Sequence, residues 1–278
     1  MDWSIAKKTV IIILIVLNVC LFVLNRNEKD DFKISPAREK STIEVLAKRD
    51  VYIYTDIIED YSPKRKIKVK PITVTRESIE DTFFENEDIK ISIEFDRDIL
   101  KSDTKTVSYK GNDVIVYYNQ SDEINENFNV KTAREQADLV LSQSAGKSNR
   151  FALLNTVEND GEYTFTYCEK YKGQFVYSSR YDITVNNKGV KTANIKFCEI
   201  EGYSDDKIEI YGADEALFTF SDFIGKSATV NRIEIVYDYP SDDNPDVDMS
   251  TKLVPYYFIF VMDRDQPYMV NAYTNKIK

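Results

Sequence analysis

An apolar run near the N-terminus constrains this 278-residue chain more than any other feature of its sequence. Residues 9–24 contain one strongly polar residue, Asn18, and counted from Ile5 the run is about 20 residues long, or about 30 Å as a helix. The segment that follows reads Asn-Arg-Asn-Glu and lacks the small residues of a signal-peptide cleavage site. Valine rather than a small residue precedes Cys20, which disfavours a lipoprotein. We therefore predict an uncleaved transmembrane anchor over residues 5–24.

The charges that flank the apolar run predict its orientation. Lys7 and Lys8 lie on the short N-terminal tail, and positive residues favour the cytoplasmic side of a span. We expect a single-pass protein of the cell membrane, with a cytoplasmic N-terminus, an extracytoplasmic bulk and Trp3 as an anchor in the membrane interface. Asn18 has two interpretations: a hydrogen bond to a partner helix, worth about 0.6–2 kcal/mol, or a lone amide tolerated in a single span.

The composition removes several classes of function. The chain has no histidine, which excludes Ser-His-Asp and Cys-His catalysis and zinc sites with histidine ligands. Three cysteines are too few for a Cys₄ zinc site or a disulfide framework. A formal net charge of −10 disfavours contact with a phosphate backbone, and the sequence holds no glycine-rich phosphate-binding motif. We expect a protein that is not an enzyme, needs no cofactor and binds no nucleic acid.

The chain beyond the anchor predicts an α+β fold. From about residue 131 onward, an amphipathic helix followed by three antiparallel strands occurs twice, with a period of about 80 residues. An antiparallel sheet with one solvated face needs a cover for its other face, and the preceding helix is the natural cover. We predict tandem helix-plus-antiparallel-sheet units. The regions are a tail and anchor over 1–29, a first extracytoplasmic region over 30–128, and a second over 129–278 that holds two such units.

Cap and turn signals mark the ends of the predicted elements. Ser35 as a cap and Pro36 in the first turn predict a helix start. Hairpin-type turns are predicted at 110–113, 172–173 and 186–189.

Side-chain spacing predicts which faces are buried. In the helix that begins at 212–215, the spacing predicts a buried set: Ala216, Leu217, Phe220 and Phe223. One strand is predicted to share a face among four residues: Tyr177, Tyr181, Ile183 and Val185. Residues 190–200 predict one further strand, and residues 89–95, 106–109 and 114–118 predict three strands in the first extracytoplasmic region. The basic stretch 64–70 is interpreted either as a binder of anionic wall polymers or lipid headgroups, or as a solvated loop that leads into an edge strand.

Two acidic groups are candidate sites. Oxygen ligands at alternate positions, as in the first half of an EF-hand loop, occur at Asp242, Asn244, Asp246 and Asp248. The glycine and the final glutamate of that loop are missing, so a solvated acidic turn is the alternative. Glu199 and Glu201 are candidates for a glycosidase pair, although their spacing fits the end of a strand equally well.

Cys168 and Cys198 lie on predicted strands that flank a third. One intervening strand separates two positions by about 9–10 Å, whereas a disulfide needs Cα atoms within about 7 Å. We predict buried free thiols, with a bond as the alternative if the third strand folds back beside the first.

Several segments resemble the YycI (also WalI) proteins of Gram-positive bacteria. The start, Met1-Asp2-Trp3 followed by basic residues and an apolar span with Leu17-Asn18, resembles the start of that family. Four C-terminal segments resemble its ending and the related PepSY-like units: Ala213 to Leu217, Arg232 to Tyr237, Val254 to Ile259, and Val270 to Lys276. Tyr256 and Tyr257 stand where the pattern often has Trp, and Asn275 where it often has Gly. Asn tolerates left-handed backbone geometry, so the turn is expected to survive.

The resemblance implies a non-catalytic membrane regulator. Proteins of this family pair with a sister protein, YycH, and with the sensor histidine kinase (WalK or YycG) of the essential cell-wall two-component system. We therefore expect a YycH-like single-span protein and a WalK/YycG-type kinase as partners, with Asn18 as a contact to the kinase helices. The alternative is a PepSY-type extracytoplasmic module that binds a peptide, a protease or a wall polymer.

Overall fold

The structure, a computed structural model, describes residues 3–30, 32–84, 87–120, 122–145, 150–240, 251–262 and 264–278. Its elements in chain order are α1 (Trp3–Asp30), α2 (Pro36–Ala47), β1 (Val51–Ile53), β2 (Lys64–Pro71), α3 (Arg76–Phe83), β3 (Lys90–Glu94), β4 (Arg97–Lys101), β5 (Lys105–Lys110), β6 (Asp113–Tyr118), α4 (Val130–Ser144), β7 (Phe151–Asn159), β8 (Glu162–Tyr171), β9 (Gln174–Asn186), β10 (Gly189–Lys196), β11 (Cys198–Ile208), α5 (Ala213–Ile224), β12 (Ala228–Asp238), β13 (Lys252–Val261) and β14 (Tyr268–Asn271). The chain is α+β, as predicted, with a sheet in which antiparallel pairs predominate.

The chain forms two compact units, each assembled from more than one stretch. The first comprises Met1–Lys64, Lys207–Glu234 and Ile259–Ile277. The second comprises Arg65–Asp206, Ile235–Phe258 and Lys278. Strands β12 and β13 therefore contribute residues to both units. The domain bounds expected from the sequence were continuous segments, and they stay predictions.

In the first unit, α2 begins as its sequence predicts. The Ser35 side chain accepts a hydrogen bond from the backbone N–H of Arg38 at 3.3 Å, and Pro36 is the first helical residue. The unit also contains a parallel strand pair that the sequence did not indicate. β1 pairs with the first residues of β12, from Val51 opposite Ala228 to Ile53 opposite Val230.

Helix α5 confirms its predicted start but not its whole predicted core face. Its N-cap is Gly212, and Ala216, Leu217 and Phe220 are buried. Phe223 is 59% exposed, so its predicted burial is wrong. It lies at the end of the helix, three residues beyond Phe220. Its ring packs edge-on against Tyr268, with centroids 6.1 Å apart.

Eight strands of the second unit form one antiparallel run, in the spatial order β7-β8-β9-β10-β6-β5-β4-β3. The three predicted hairpin turns are confirmed as two-residue connections, closed by the pairs Lys110–Asp113, Tyr171–Gln174 and Asn186–Gly189. Five strands rather than the predicted three follow α4, because β7 precedes the predicted set and the predicted third strand is two strands, β10 and β11. Of the three strands predicted after α5, β12 lies beside β13 and β14 pairs with β13. β12 also pairs in parallel with β1 and β9, which lie outside that predicted unit.

Helices α3 and α4 cover one face of this antiparallel run. Ile79 and Phe83 of α3 and Ala133 and Ala137 of α4 belong to one buried cluster. Strand residues of the same cluster include Leu100, Val107, Val116, Phe165, Tyr181, Ile183, Val185 and Ile195. Burying this many large side chains, at about 1.5–3 kcal/mol each, is the main stabilisation of the unit.

A bulge in β9 overturns the predicted shared face of that strand. Cys168 pairs with Arg180, whereas the next residue, Glu169, pairs with Val176. The intervening residues of β9 are looped out, which breaks the alternation of side chains. Tyr181 therefore joins the cluster under α4, whereas the ring of Tyr177 packs edge-on against Phe258, with centroids 5.1 Å apart.

The basic stretch 64–70 is neither a loop nor an edge strand. It forms β2, which lies between β11 and β13 and buries Ile67 and Val69. Acidic β11 compensates part of the positive charge of β2, since Lys68 Nζ lies 4.0 Å from Asp205. The backbone N–H of Lys66 also donates a hydrogen bond to Ser204 of β11. The predicted strand over 190–200 is likewise two strands, β10 and β11, of which β10 pairs with β9 and β11 with β2.

Helix α1 carries the predicted anchor. Its side chains Val10 to Leu17 and Val19 are between 52% and 61% exposed. Within the described residues, no helix is both long enough and apolar enough to cross a membrane. The anchor over residues 5–24 stays a prediction.

Candidate interaction surface

A β-hairpin in the second unit has a bulky, exposed residue at its tip. Glu94 of β3 lies opposite Arg97 of β4, which leaves Phe95 and Asp96 as a two-residue turn. Both turn residues have positive φ angles, 51° and 61°, as in a type I′ turn. That turn favours Asn and Gly, because left-handed geometry costs other residues roughly 1–2 kcal/mol each. The Phe95 side chain is 99% exposed, so almost no packing offsets this strain.

Strand β3 is a free edge of the antiparallel run. Among the described strands it pairs only with β4, and all five of its residues are exposed. The pair that closes a two-residue turn shares hydrogen bonds, and bonded and non-bonded pairs then alternate along the ladder. The backbone groups of Ser92 therefore face β4, whereas those of Ile91 and Ile93 face away from it. The edge presents unpaired N–H and C=O groups beside isoleucine side chains that are 46% and 74% exposed.

The other face of the hairpin carries a like-charged pair at its open end, whereas Glu94 lies on the same face near the tip. Lys90 lies directly opposite Lys101, and like charges in this arrangement repel. Neither ammonium has an ion-pair partner among the described residues. The guanidinium of Arg97 is engaged instead, since it donates to Ser108 Oγ at 2.7 Å and to Asp113 at 3.0 Å. A hollow of about 500 Å³ here is lined by Lys90, Ile91, Ser92, Glu94 and Phe95 from β3 and its turn, and by Arg97, Ile99, Lys101, Thr106, Ser108 and Tyr117 from the neighbouring strands.

Glu87 fixes the base of the hairpin. Its carboxylate accepts a hydrogen bond from Thr104 Oγ1 at 2.8 Å and lies 2.9 Å from Lys105 Nζ, which ties the segment before β3 to the turn between β4 and β5. Hydrogen bonds, that from Ser102 above all and then those from Lys105 and Thr104, lower the pKa of Glu87 to about 2. The edge strand is thus held at its base by charge-assisted contacts.

A polar cluster in the first unit joins α2 to α5. Arg38 donates through Nε and Nη2 to Asp214, the latter at 2.9 Å, and Nη2 also lies 3.4 Å from Glu215. The hydrogen bond with Asp214 raises the pKa of Arg38. A Cβ at Gly212 would lie 2.4 Å from Asp214 Oδ1, which leaves no room for a side chain. Because all its charges are paired, this cluster fixes structure rather than offering a ligand site.

The residues predicted to act at the membrane lie along α1. Trp3 is 73% exposed, and Lys7 Nζ lies 5.4 Å from its ring centroid, a cation–π contact. Lys8 and Asn18 are exposed. The structure brings only Trp3 and Lys7 together, and the predicted roles of all four residues stay predictions.

The candidate chemical sites find little support in the described part of the chain. Asp242, Asn244, Asp246 and Asp248 lie outside the described residues, which contain no group of metal-ligating side chains. Glu199 and Glu201 are exposed on β11. Cys168 and Cys198 are buried and free, as predicted, and burial raises the pKa of both thiols, that of Cys198 to about 12. Asn275 has a φ of 53°, which confirms the left-handed turn expected there.

Sequence reasoning missed the hairpin as a functional feature. It predicted a strand that ends at Phe95 but did not find β4. The usable signal was the alternation of Ile91, Ile93 and Ile99 on either side of a short polar break. Phe-Asp is not a recognised turn dipeptide, so that break was not interpreted as a hairpin.

Comparisons with known proteins find likeness in structure alone. The chain matches no protein-family model and no curated protein sequence. Solved structures similar to it include an uncharacterized protein from Eubacterium rectale, at 12% identity and a TM-score of 0.47 over 86% of this chain and 98% of that one. The C-terminal domain of YpeB from Bacillus megaterium has 12% identity and a TM-score of 0.41, over 74% of this chain and 98% of that one. YycH from Bacillus subtilis has 10% identity and a TM-score of 0.47, over 77% of this chain and 56% of that one. TM-scores below 0.5 assign neither family nor function.

Proposed function

We propose that the protein is a membrane-anchored extracytoplasmic regulator. Together with a YycH-like single-span protein, it modulates the sensor histidine kinase of the cell-wall two-component system. The anchor over residues 5–24 contacts the kinase helices in the membrane, and the extracytoplasmic region binds the sister protein through tandem PepSY-like units. The N-terminus is cytoplasmic.

The observation that carries this proposal is the edge strand β3. Its outer edge has no neighbouring strand among the described residues, it carries exposed isoleucines, and Phe95 is exposed at the hairpin tip. Exposed apolar groups of this kind mark interaction sites in soluble domains. The resemblance of the first residues and of the four C-terminal segments to YycI proteins supports the identity of the partners. The exposed apolar side chains from Val10 to Leu17 support a contact of α1 with lipid or with other helices.

The mechanism requires differential binding. A regulator shifts a kinase between two helix arrangements only by binding one of them more tightly than the other. A tenfold shift needs about 1.4 kcal/mol, which one or two contacts between membrane helices supply. Asn18 is the polar side chain in the anchor best suited to such a contact.

Capture of the full-length protein from gently solubilised native membranes tests the proposal. We expect a histidine kinase and a second single-span protein to co-purify with it. A matched variant carries an unrelated transmembrane sequence in place of residues 5–24, and we expect it to lose the kinase while it keeps the sister protein. Asn18→Leu tests the amide alone and is expected to weaken kinase capture.

Two results would contradict the proposal. If the native protein captures neither partner, the assignment to the two-component system is wrong. If the foreign span retains the kinase fully, the anchor does not carry the signal, and the alternative, an extracytoplasmic PepSY-type binding module, becomes the better interpretation.

A further inference from the structure

From the hairpin geometry we infer that the edge of β3 binds an extended segment of a partner protein, with an acidic residue next to Lys90, which adds to the sheet as a new strand. Phe95 at the hairpin tip is the aromatic anchor of this contact. The inference rests on the proposed function, since it takes the sister protein as the partner that supplies the strand, and it names the surface and the binding mode.

The backbone of β3 supplies the directional part of the contact. Ile91 and Ile93 have N–H and C=O groups that point away from β4, in the pattern to which an added strand bonds. Such edges are usually protected by charge, proline or a covering element, because they otherwise pair with foreign strands. On the face of Ile91 and Ile93, this edge shows exposed isoleucines instead. A partner segment with apolar residues at alternate positions would cover both.

Phe95 is difficult to explain as a structural residue. It occupies a positive-φ position that favours Gly or Asn, and its side chain is almost fully in water. Strained residues of this kind are retained where they serve a site. Aromatic side chains are also the residues that most often dominate binding energy at interfaces. Phe95 is therefore placed to fill a pocket beside the added strand.

The like-charged pair at the open end of the hairpin favours one acidic residue in the added segment, at the position next to Lys90. Lys90 and Lys101 lie opposite each other without a described ion-pair partner. An aspartate or glutamate on the added strand next to Lys90 would relieve this repulsion. A basic or neutral segment would leave it in place.

Site-specific photocrosslinking in native membranes tests the inference directly. A benzophenone amino acid replaces Ile93 in the full-length protein, and the crosslinked peptides are identified by mass spectrometry. We expect a peptide of the YycH-like protein with alternating apolar residues and at least one acidic residue. The same probe at Tyr54, which is 73% exposed in the first unit, is the control and is expected to give no such product.

Substitutions separate binding from folding. Phe95→Asn relieves the strained turn, so its thermal midpoint is expected to stay equal or rise while capture of the sister protein falls at least tenfold. Ile93→Pro removes the backbone N–H that points away from β4 and leaves the hydrogen bonds to β4 intact. We expect this variant to lose capture of the sister protein. Ile93→Thr keeps that N–H and is expected to lose less of the capture. Lys90→Glu is expected to weaken capture more than Lys131→Glu, which makes the same change of charge on α4.

The outcomes distinguish the inference from the proposed function. If the native protein captures the sister protein and all three β3-hairpin variants (Phe95→Asn, Ile93→Pro and Lys90→Glu) do so equally, the inference is wrong and the proposed function stands. If the native protein captures no sister protein, both fall. A crosslink from position 93 to a second copy of this chain, or to lipid, would overturn the inference in favour of self-association or of membrane contact.

Discussion

Arg38 and Asp214 lie 176 residues apart in the sequence and form an ion pair whose carboxylate is almost fully buried. Removing one partner from a fully buried pair costs about 3–5 kcal/mol. The Arg38 side chain is 39% exposed and can be rehydrated, so we expect Asp214→Asn to lower the free energy of unfolding by about 2 kcal/mol. Urea denaturation of the full-length protein followed by circular dichroism measures this change.

The same helix offers a matched control for that prediction. Asp222 pairs with Arg49 at 2.7 Å, but both side chains are largely exposed, at 72% and 45%. Asp222→Asn is therefore expected to change the stability by no more than about 0.5 kcal/mol. Equal effects of the two substitutions would show that burial does not decide the strength of the pair.

Glu87 is expected to make stability depend on pH in the acid range. Its folded pKa of about 2 lies below the usual value of 4.5, so its contribution is fully present above about pH 4.5 and is lost as the pH falls towards 2. The stability difference between the native protein and Glu87→Gln should thus be larger at pH 6 than at pH 2.5. A carbon-13 NMR titration in which the Glu87 carboxyl has a midpoint near 4.5 would refute the assignment.

Ser179 lies in the bulge of β9 and donates to buried Glu169 at 2.7 Å. Ser179→Ala leaves that carboxylate oxygen without this donor, and we expect a loss of about 1–3 kcal/mol in the free energy of unfolding. Ser142→Ala serves as the control, because Ser142 is exposed and bonds only to a carbonyl of its own helix. No measurable difference between the two variants would mean that solvent replaces the lost donor.

The two thiols of the second unit are expected to resist chemical modification. Cys168 and Cys198 are buried, and burial raises both pKa values, so little thiolate is present at pH 8. In a Cys20→Ser background, N-ethylmaleimide is expected to add to neither thiol under native conditions and to both after denaturation, as measured by intact mass. Rapid native labelling, or a mass two units lower that indicates a disulfide, would contradict the structure.

The sequence was a good guide wherever local chemistry determines geometry. The Ser35 cap, the start of α5 at Ala213 and the two-residue turn closed by Lys110 and Asp113 all depend on residues within one turn of each other. Burial along α5 also followed from spacing, except at the end of the helix, where Phe223 is 59% exposed.

Non-local pairing was beyond the same reasoning. The lysines of β2 are indistinguishable from a solvated loop until acidic β11 is placed beside them. The parallel pairing of Val51 with Ala228 joins segments that have no local signal in common. A bulge changes which face of the sheet the following side chains occupy, and no residue type in the sequence marks its position. Tyr177 was therefore assigned to the wrong face. The candidate surface was missed for a related reason, since Phe95 occupies a turn position that its residue type disfavours.

The passage of β12 and β13 through both compact units has a practical consequence for dissecting the protein. The chain passes between the two units next to Lys64, Asp206, Glu234, Phe258 and Ile277, and the first four of these points lie within strands, in β2, β11, β12 and β13. A single cut anywhere in the sequence therefore cannot separate the two units: a cut after Lys64 keeps the second unit whole in the fragment 65–278 but divides the first. Truncation at the predicted bound between residues 128 and 129 would remove strand residues from both units, so surface substitutions in the intact chain are the sounder way to assign a partner to either one.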